Sequence, residues 1–105
     1  QNTFIGEQSG AFITTGNYNH FSGYNAGVYN TVGDANTFVG ANAGLHNTKG
    51  GENVFLGNVA GYENTSGGSN TFLGNYAGLA NTTGDFNIFI GSHSCRNIIS
   101  GPENV

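Results

Sequence analysis

The sequence predicts an all-β fold, a β-solenoid (β-roll) of six 17-residue coils. Three observations carry that prediction. Asn2, Asn19, Asn36, Asn53, Asn70, Asn87 and Asn104 stand 17 residues apart with no insertion or deletion. Phe4, Phe21, Phe38, Phe55, Phe72 and Phe89 keep the same step, as do the glycine rows Gly6 to Gly91 and Gly16 to Gly101. A fixed period of this length marks a stacked repeat. Finally, the apolar stretches inside a unit are two or three residues long and bounded by Gly and Asn, the pattern of short strands and tight turns. A helix pair does not fit: the unit Asn36 to Glu52 carries four glycines, each costing about 1 kcal/mol in a helix relative to alanine.

The units begin at Asn2, Asn19, Asn36, Asn53, Asn70 and Asn87, and Asn104-Val105 opens a partial seventh. By length the 105 residues form one solenoid domain, 1–105. The first unit drifts, with Phe12-Ile13 where later units have Tyr29-Asn30 or His46-Asn47. The last drifts too. Cys95 replaces the glycine found at Gly10, Gly27, Gly44, Gly61 and Gly78, and Arg96, Ile98, Ile99 and Pro102 follow. Gln1 is not a natural start, and the chain reads as a segment of a longer fibre. Coils stacked about 4.8 Å apart would make a rod roughly 29 Å long.

Stacking turns each phase of the repeat into a column. The Phe column is expected to run through the coil interior. Ser9, Ala26, Ala43, Ala60, Ala77 and Ser94 suit a tight inner corner. Thr14, Thr31, Thr48, Thr65 and Thr82 form a threonine ladder, ended by Ile99. The leading Asn2, Asn19, Asn36, Asn53, Asn70 and Asn87 form a structural ladder whose amides can bond up and down the stack. The residue after each Phe is Ile5, Ser22, Val39, Leu56, Leu73 or Ile90. Neighbours on a strand point to opposite faces, so this row should point outward if Phe points inward. A third apolar column, Ala11, Val28, Leu45, Tyr62 and Leu79, breaks at Arg96. A coil this small is not expected to bury all three columns in a single chain, and exposed apolar ladders mark association surfaces. The expectation is a homo-oligomer packed along the rod axis through Ile5, Val39, Leu56, Leu73 and Ile90.

Composition excludes several functions. Charged residues make up 8%, the net charge is −4, and Lys49 and Arg96 are the only strong bases. No basic stripe is available for nucleic acid or for an anionic membrane surface. No apolar run reaches the length of a membrane span, so no membrane insertion is expected. Cys95 is the only cysteine and cannot form an intrachain disulfide; it reads as a tolerated substitution in an irregular coil.

No converging catalytic constellation, elbow or phosphate loop is present, and the chain is read as a non-enzyme without cofactor. His20, His46 and His93 fall in three different phases, which argues against a histidine metal site. Asp34, Glu52, Asp85 and Glu103 occupy the last two phases of their units, beside a glycine corner. A solvated turn is favoured there over calcium, because two coils lack the acid. The sequons at Asn64 and Asn81 follow from the repeat itself.

The unit Asn-Thr-Phe-Leu-Gly-x-x-Ala-Gly-x-x-Asn-Thr-x-Gly, standing here as Asn70 to Gly84, resembles repeat arrays of phage tail fibres and bacterial surface fibre proteins. More distantly, Asn-Thr-Phe-Val-Gly is similar to the head repeats of trimeric autotransporter adhesins, although unit length and the Phe differ. The resemblance implies a parallel homotrimer and an extracellular location, on a cell surface or on a virion or fibre surface, with structural or adhesive duty. It carries over no catalytic residue. Under that reading Tyr24, Tyr29, Tyr62 and Tyr76, with His46, are candidate contacts for a surface glycan or receptor. Two alternatives accompany it. One is a self-assembling filament made by end-to-end coil stacking. The other is an ice-binding solenoid using the Thr14–Thr82 ladder. Against ice binding, the column two residues on is glycine, and the row Thr3, Thr37, Thr71 is broken by His20, Val54 and Ile88.

Overall fold

The computed structural model describes residues 1–97, 100–102 and 104–105. It shows a β-solenoid. Each coil contributes one three-residue strand: β1 Thr3–Ile5, β2 His20–Ser22, β3 Thr37–Val39, β4 Val54–Leu56, β5 Thr71–Leu73 and β6 Ile88–Ile90. The six strands form one parallel sheet in chain order. Pairing is in register throughout, so Phe38 lies opposite Phe21 and Phe55. The rod measures 30 × 21 × 15 Å, close to the length that the coil count implies. Among the described residues, the rest of each coil is turn, bend or irregular backbone rather than further strand.

The Phe column forms the core. Phe21, Phe38, Phe55, Phe72 and Phe89 are buried with Ala26, Ala43, Ala60 and Ala77 packed beside them, and Phe4 is partly covered. Successive rings stack nearly parallel, with centroids 4.7 Å apart for Phe21–Phe38 and 4.8 Å for Phe38–Phe55. The column therefore fills the coil at the spacing that the sheet sets, leaving no room beside it. A Cβ on Gly61 would fall 2.4 Å from the Phe55 ring, and Gly61 also sits at φ 61°. That double constraint explains the glycine row, and it makes Cys95, at φ 52° in the same row, the strained exception.

Two more rows adopt left-handed backbone without glycine. Gln8, Asn25, Asn42, Val59, Tyr76 and His93 have φ between 59° and 64°. Tyr18, Ala35, Glu52, Ser69 and Phe86 lie between 55° and 61°. Such a conformation costs a β-branched residue such as Val59 about 1–2 kcal/mol. Hydrogen bonds between coils hold it in place: Val59 N–H donates to Ala41 C=O at 2.9 Å and Ser69 N–H to Gly51 C=O at 2.9 Å.

The asparagine ladder forms, with side-chain amides bonding along the stack to backbone groups rather than to the next amide. Asn53 Oδ1 accepts from the backbone N–H of Asn70 at 2.9 Å, and Asn53 Nδ2 donates to Gly67 C=O at 2.8 Å. Each amide thus joins the next coil to the corner of its own coil. A second buried ladder, absent from the sequence reading, runs through Asn30, Asn47, Asn64 and Asn81. There the bonds are amide-to-amide: Asn64 Nδ2 donates to Asn47 Oδ1 at 2.7 Å.

The third apolar column corrects the burial argument. Val28 and Leu45 are 3% and 8% exposed within the single chain, and Leu79 is half-buried. The alternation rule applies only to the three-residue strand. The left-handed glycine just before this column breaks the alternation and lets it turn inward. Ile99, expected to end the threonine ladder, lies outside the described residues, as do Ile98 and Glu103.

Candidate functional site

With the Phe row pointing inward, the outward face of the sheet carries the rows on either side of it. Ile5, Val39, Leu56 and Ile90 are exposed, and Leu73 is half-buried. Ser22 and His20 interrupt the apolar surface in the second coil. At the other end it widens, because Ile88 and Phe86 are exposed as well, Phe86 at 60%. Ile88 and Ile90 flank the buried Phe89 on the sixth strand, and Phe86, the last residue of the fifth coil, is exposed just before it. Phe86 and its counterpart Tyr18 were not among the sequence candidates. Their signal lay in a variable phase that the eye takes for turn.

A second surface lies on the turn side. Phe12, Tyr29 and His46 stack as an aromatic ladder, with ring planes 1° apart for Phe12–Tyr29 and 7° apart for Tyr29–His46. Tyr62 meets His46 edge-on at 86°. Glu63 continues the ladder, with Oε2 3.8 Å from His46 Nδ1. Beside it runs the threonine ladder, whose hydroxyls point along the stack: Thr48 Oγ1 donates to Thr65 C=O at 3.3 Å and Thr65 Oγ1 to Thr82 C=O at 3.2 Å. Between the two rows is a shallow groove of about 480 Å³ lined by Tyr29, Thr31, His46, Thr48, Glu63 and Thr65.

Of the four candidate tyrosines, Tyr29 and Tyr62 both contact His46, whereas Tyr24 and Tyr76 are not part of that cluster. Tyr24 stands alone and exposed. Tyr29 has Phe12 on one ring face and His46 on the other. Tyr76 stacks on His93 and lies under the Arg96 guanidinium, 5.5 Å from its ring centroid. Ring faces used in this way are closed to a stacked sugar at Tyr29.

The acidic residues serve the turns. Asp34 Oδ1 accepts from Asn17 N–H at 2.6 Å, Asp85 Oδ1 from Gly68 N–H at 2.7 Å, and Glu52 Oε2 from the Ser69 hydroxyl at 3.1 Å. Among the described residues no cluster of three His, Cys, Asp or Glu is placed to hold a metal ion. No helix among them is long and apolar enough to cross a membrane. Asn64 and Asn81, the sequon residues, are fully buried in the second amide ladder.

Fold and surfaces together define a β-solenoid repeat protein. Comparison with protein-family models, curated proteins and solved structures gave no significant match.

Proposed function

We propose that the chain is a structural or adhesive segment of an extracellular fibre whose rods associate side by side as a parallel homotrimer. The observation that carries this reading is the exposed aliphatic row Ile5, Val39, Leu56 and Ile90, on a sheet face with little charge. Water-exposed apolar rows of this kind are stabilised when a second apolar surface covers them. Axial bonding adds support, because a rod held by bonds between coils along its length suits a load-bearing element.

The size of the face sets the strength. Three residues by six coils give about 10 Å by 29 Å, roughly 290 Å² per chain. A stable interface covers about 800 Å² per partner. Association of this stretch is therefore weak and grows with every coil added. Light scattering after gel filtration tests it: reversible association at high micromolar concentration, lost in Leu56→Asp, is the expected result. A stable folded monomer over that whole range refutes it. Electron microscopy separates lateral trimers from end-to-end filaments.

Ice binding gains nothing from the geometry. The hydroxyl protons of Thr14, Thr31, Thr48 and Thr65 are donated to carbonyls of the next coil rather than presented to water. A thermal-hysteresis measurement tests that directly.

A further inference from the structure

We propose that the groove between Tyr29–His46–Glu63 and Thr31–Thr48–Thr65 binds a flat aromatic cation lying along the rod axis. The site does not depend on the fibre reading. Its volume of about 480 Å³ falls in the range of small-molecule clefts. Its two rails are straight because each takes one residue from three successive coils, which makes them about 10 Å long. That shape fits a rigid elongated ligand better than a compact one.

The chemistry of the walls selects the ligand. Tyr29 and His46 stack with nearly parallel planes, so their ring edges rather than their faces line the groove. A flat ring can lie across these edges in an edge-to-face arrangement, and the preference for a cation comes from Glu63 rather than from the edges, whose end of the quadrupole is positive. The chain already uses that geometry where Tyr62 meets His46 at 86°. On the opposite wall the threonine hydroxyls donate within the stack, leaving a largely apolar surface. A saccharide is poorly served, since it needs free donors and open ring faces. Glu63 is the one formally charged residue in the lining, and its side chain is 48% exposed. It fixes the sign of the ligand's charge and places it at one end of the groove.

The test is a fluorescence titration with thioflavin T, a planar benzothiazole cation, backed by equilibrium dialysis. Saturable binding is expected, weakened about two- to fivefold by Glu63→Gln, the range for a solvent-screened charge pair. Thr48→Tyr fills the groove and should abolish binding. Circular dichroism and melting of both variants establish that they are folded, and the exposed Glu63→Gln change keeps the test decisive if Thr48→Tyr does not fold. A planar anionic dye of similar size should not bind. Absence of saturation, or equal affinity in Glu63→Gln and the parent, overturns the proposal. So does binding that survives both groove variants and is lost in Leu56→Asp, which would put the dye on the sheet face.

Discussion

Replacing Asn53 by alanine tests whether the buried amide ladder holds the coils together. Asn53 is fully buried. Its Oδ1 accepts from Asn70 N–H at 2.9 Å and its Nδ2 donates to Gly67 C=O at 2.8 Å. The substitution leaves the Asn70 N–H buried without a partner, at about 1–3 kcal/mol. Gly67 C=O keeps its bond from Asn64 Nδ2 at 2.9 Å, so its loss is only that of one hydrogen bond, about 0.5–1.5 kcal/mol. The sum is about 1.5–4.5 kcal/mol, a large share of the 5–15 kcal/mol of stability that domains typically have. Asn53→Asp separates the two bonds. Ionised, its carboxylate keeps the acceptor, loses the donor and sets a charge beside the Gly67 carbonyl; protonated, its O–H can donate there in place of the amide. Burial raises the folded-state pKa above the unfolded value of about 3.9. The folded state then binds more protons than the unfolded one, so stability relative to the parent is greatest below about pH 3.9 and falls as pH rises through the folded-state pKa. Urea unfolding at acidic and neutral pH measures both. An Asn53→Ala variant within about 0.5 kcal/mol of the parent, or an Asn53→Asp variant with no added pH dependence, refutes the reasoning.

Gly61→Ala should cost about 2–5 kcal/mol in denaturant unfolding, combining left-handed strain with a Cβ driven into the Phe55 ring. Cys95→Gly should do the reverse, raising stability by about 1 kcal/mol by relieving a φ of 52°. Deleting residues 53–69, one whole coil, should leave the circular dichroism spectrum per residue unchanged, whereas deleting 53–68 should abolish cooperative melting because every column beyond the cut leaves register. When the protein is produced in a glycosylating host, mass spectrometry of the folded fraction should find Asn64 and Asn81 unmodified, since both amides are enclosed in the ladder.

The period announced coil, core and column, because it governs everything the backbone does identically in each turn. The Phe row, the small row of Ala26 to Ala77 and the outward row of Val39 and Leu56 all stand where the 17-residue step puts them. Two features escaped. The second amide ladder was present in the spacing of Asn30, Asn47, Asn64 and Asn81, and went unread because turn chemistry accounts for asparagine so readily. The burial of Val28 and Leu45 was not available from alternation, since it depends on left-handed residues such as Gly27 that reverse which side faces inward. The turn-side groove depends on variable positions, Tyr29, His46 and Glu63, whose types differ from coil to coil. Only stacking reveals them as one row.

The bonds of the ladders also set how the chain acquires its structure. Asn36 to Asn19, Asn53 to Asn36 and Asn70 to Asn53 are each 17 residues apart, so no step requires distant parts of the chain to meet. Closing a first pair of coils is the costly event; each later coil docks on a finished template at the loss of one short loop's entropy. Folding then proceeds as a zipper with a two-coil nucleus, and opening runs inward from whichever coil has only one neighbour. Amide exchange should be slowest in the third and fourth coils and graded outward, a profile set by position in the stack rather than by residue type.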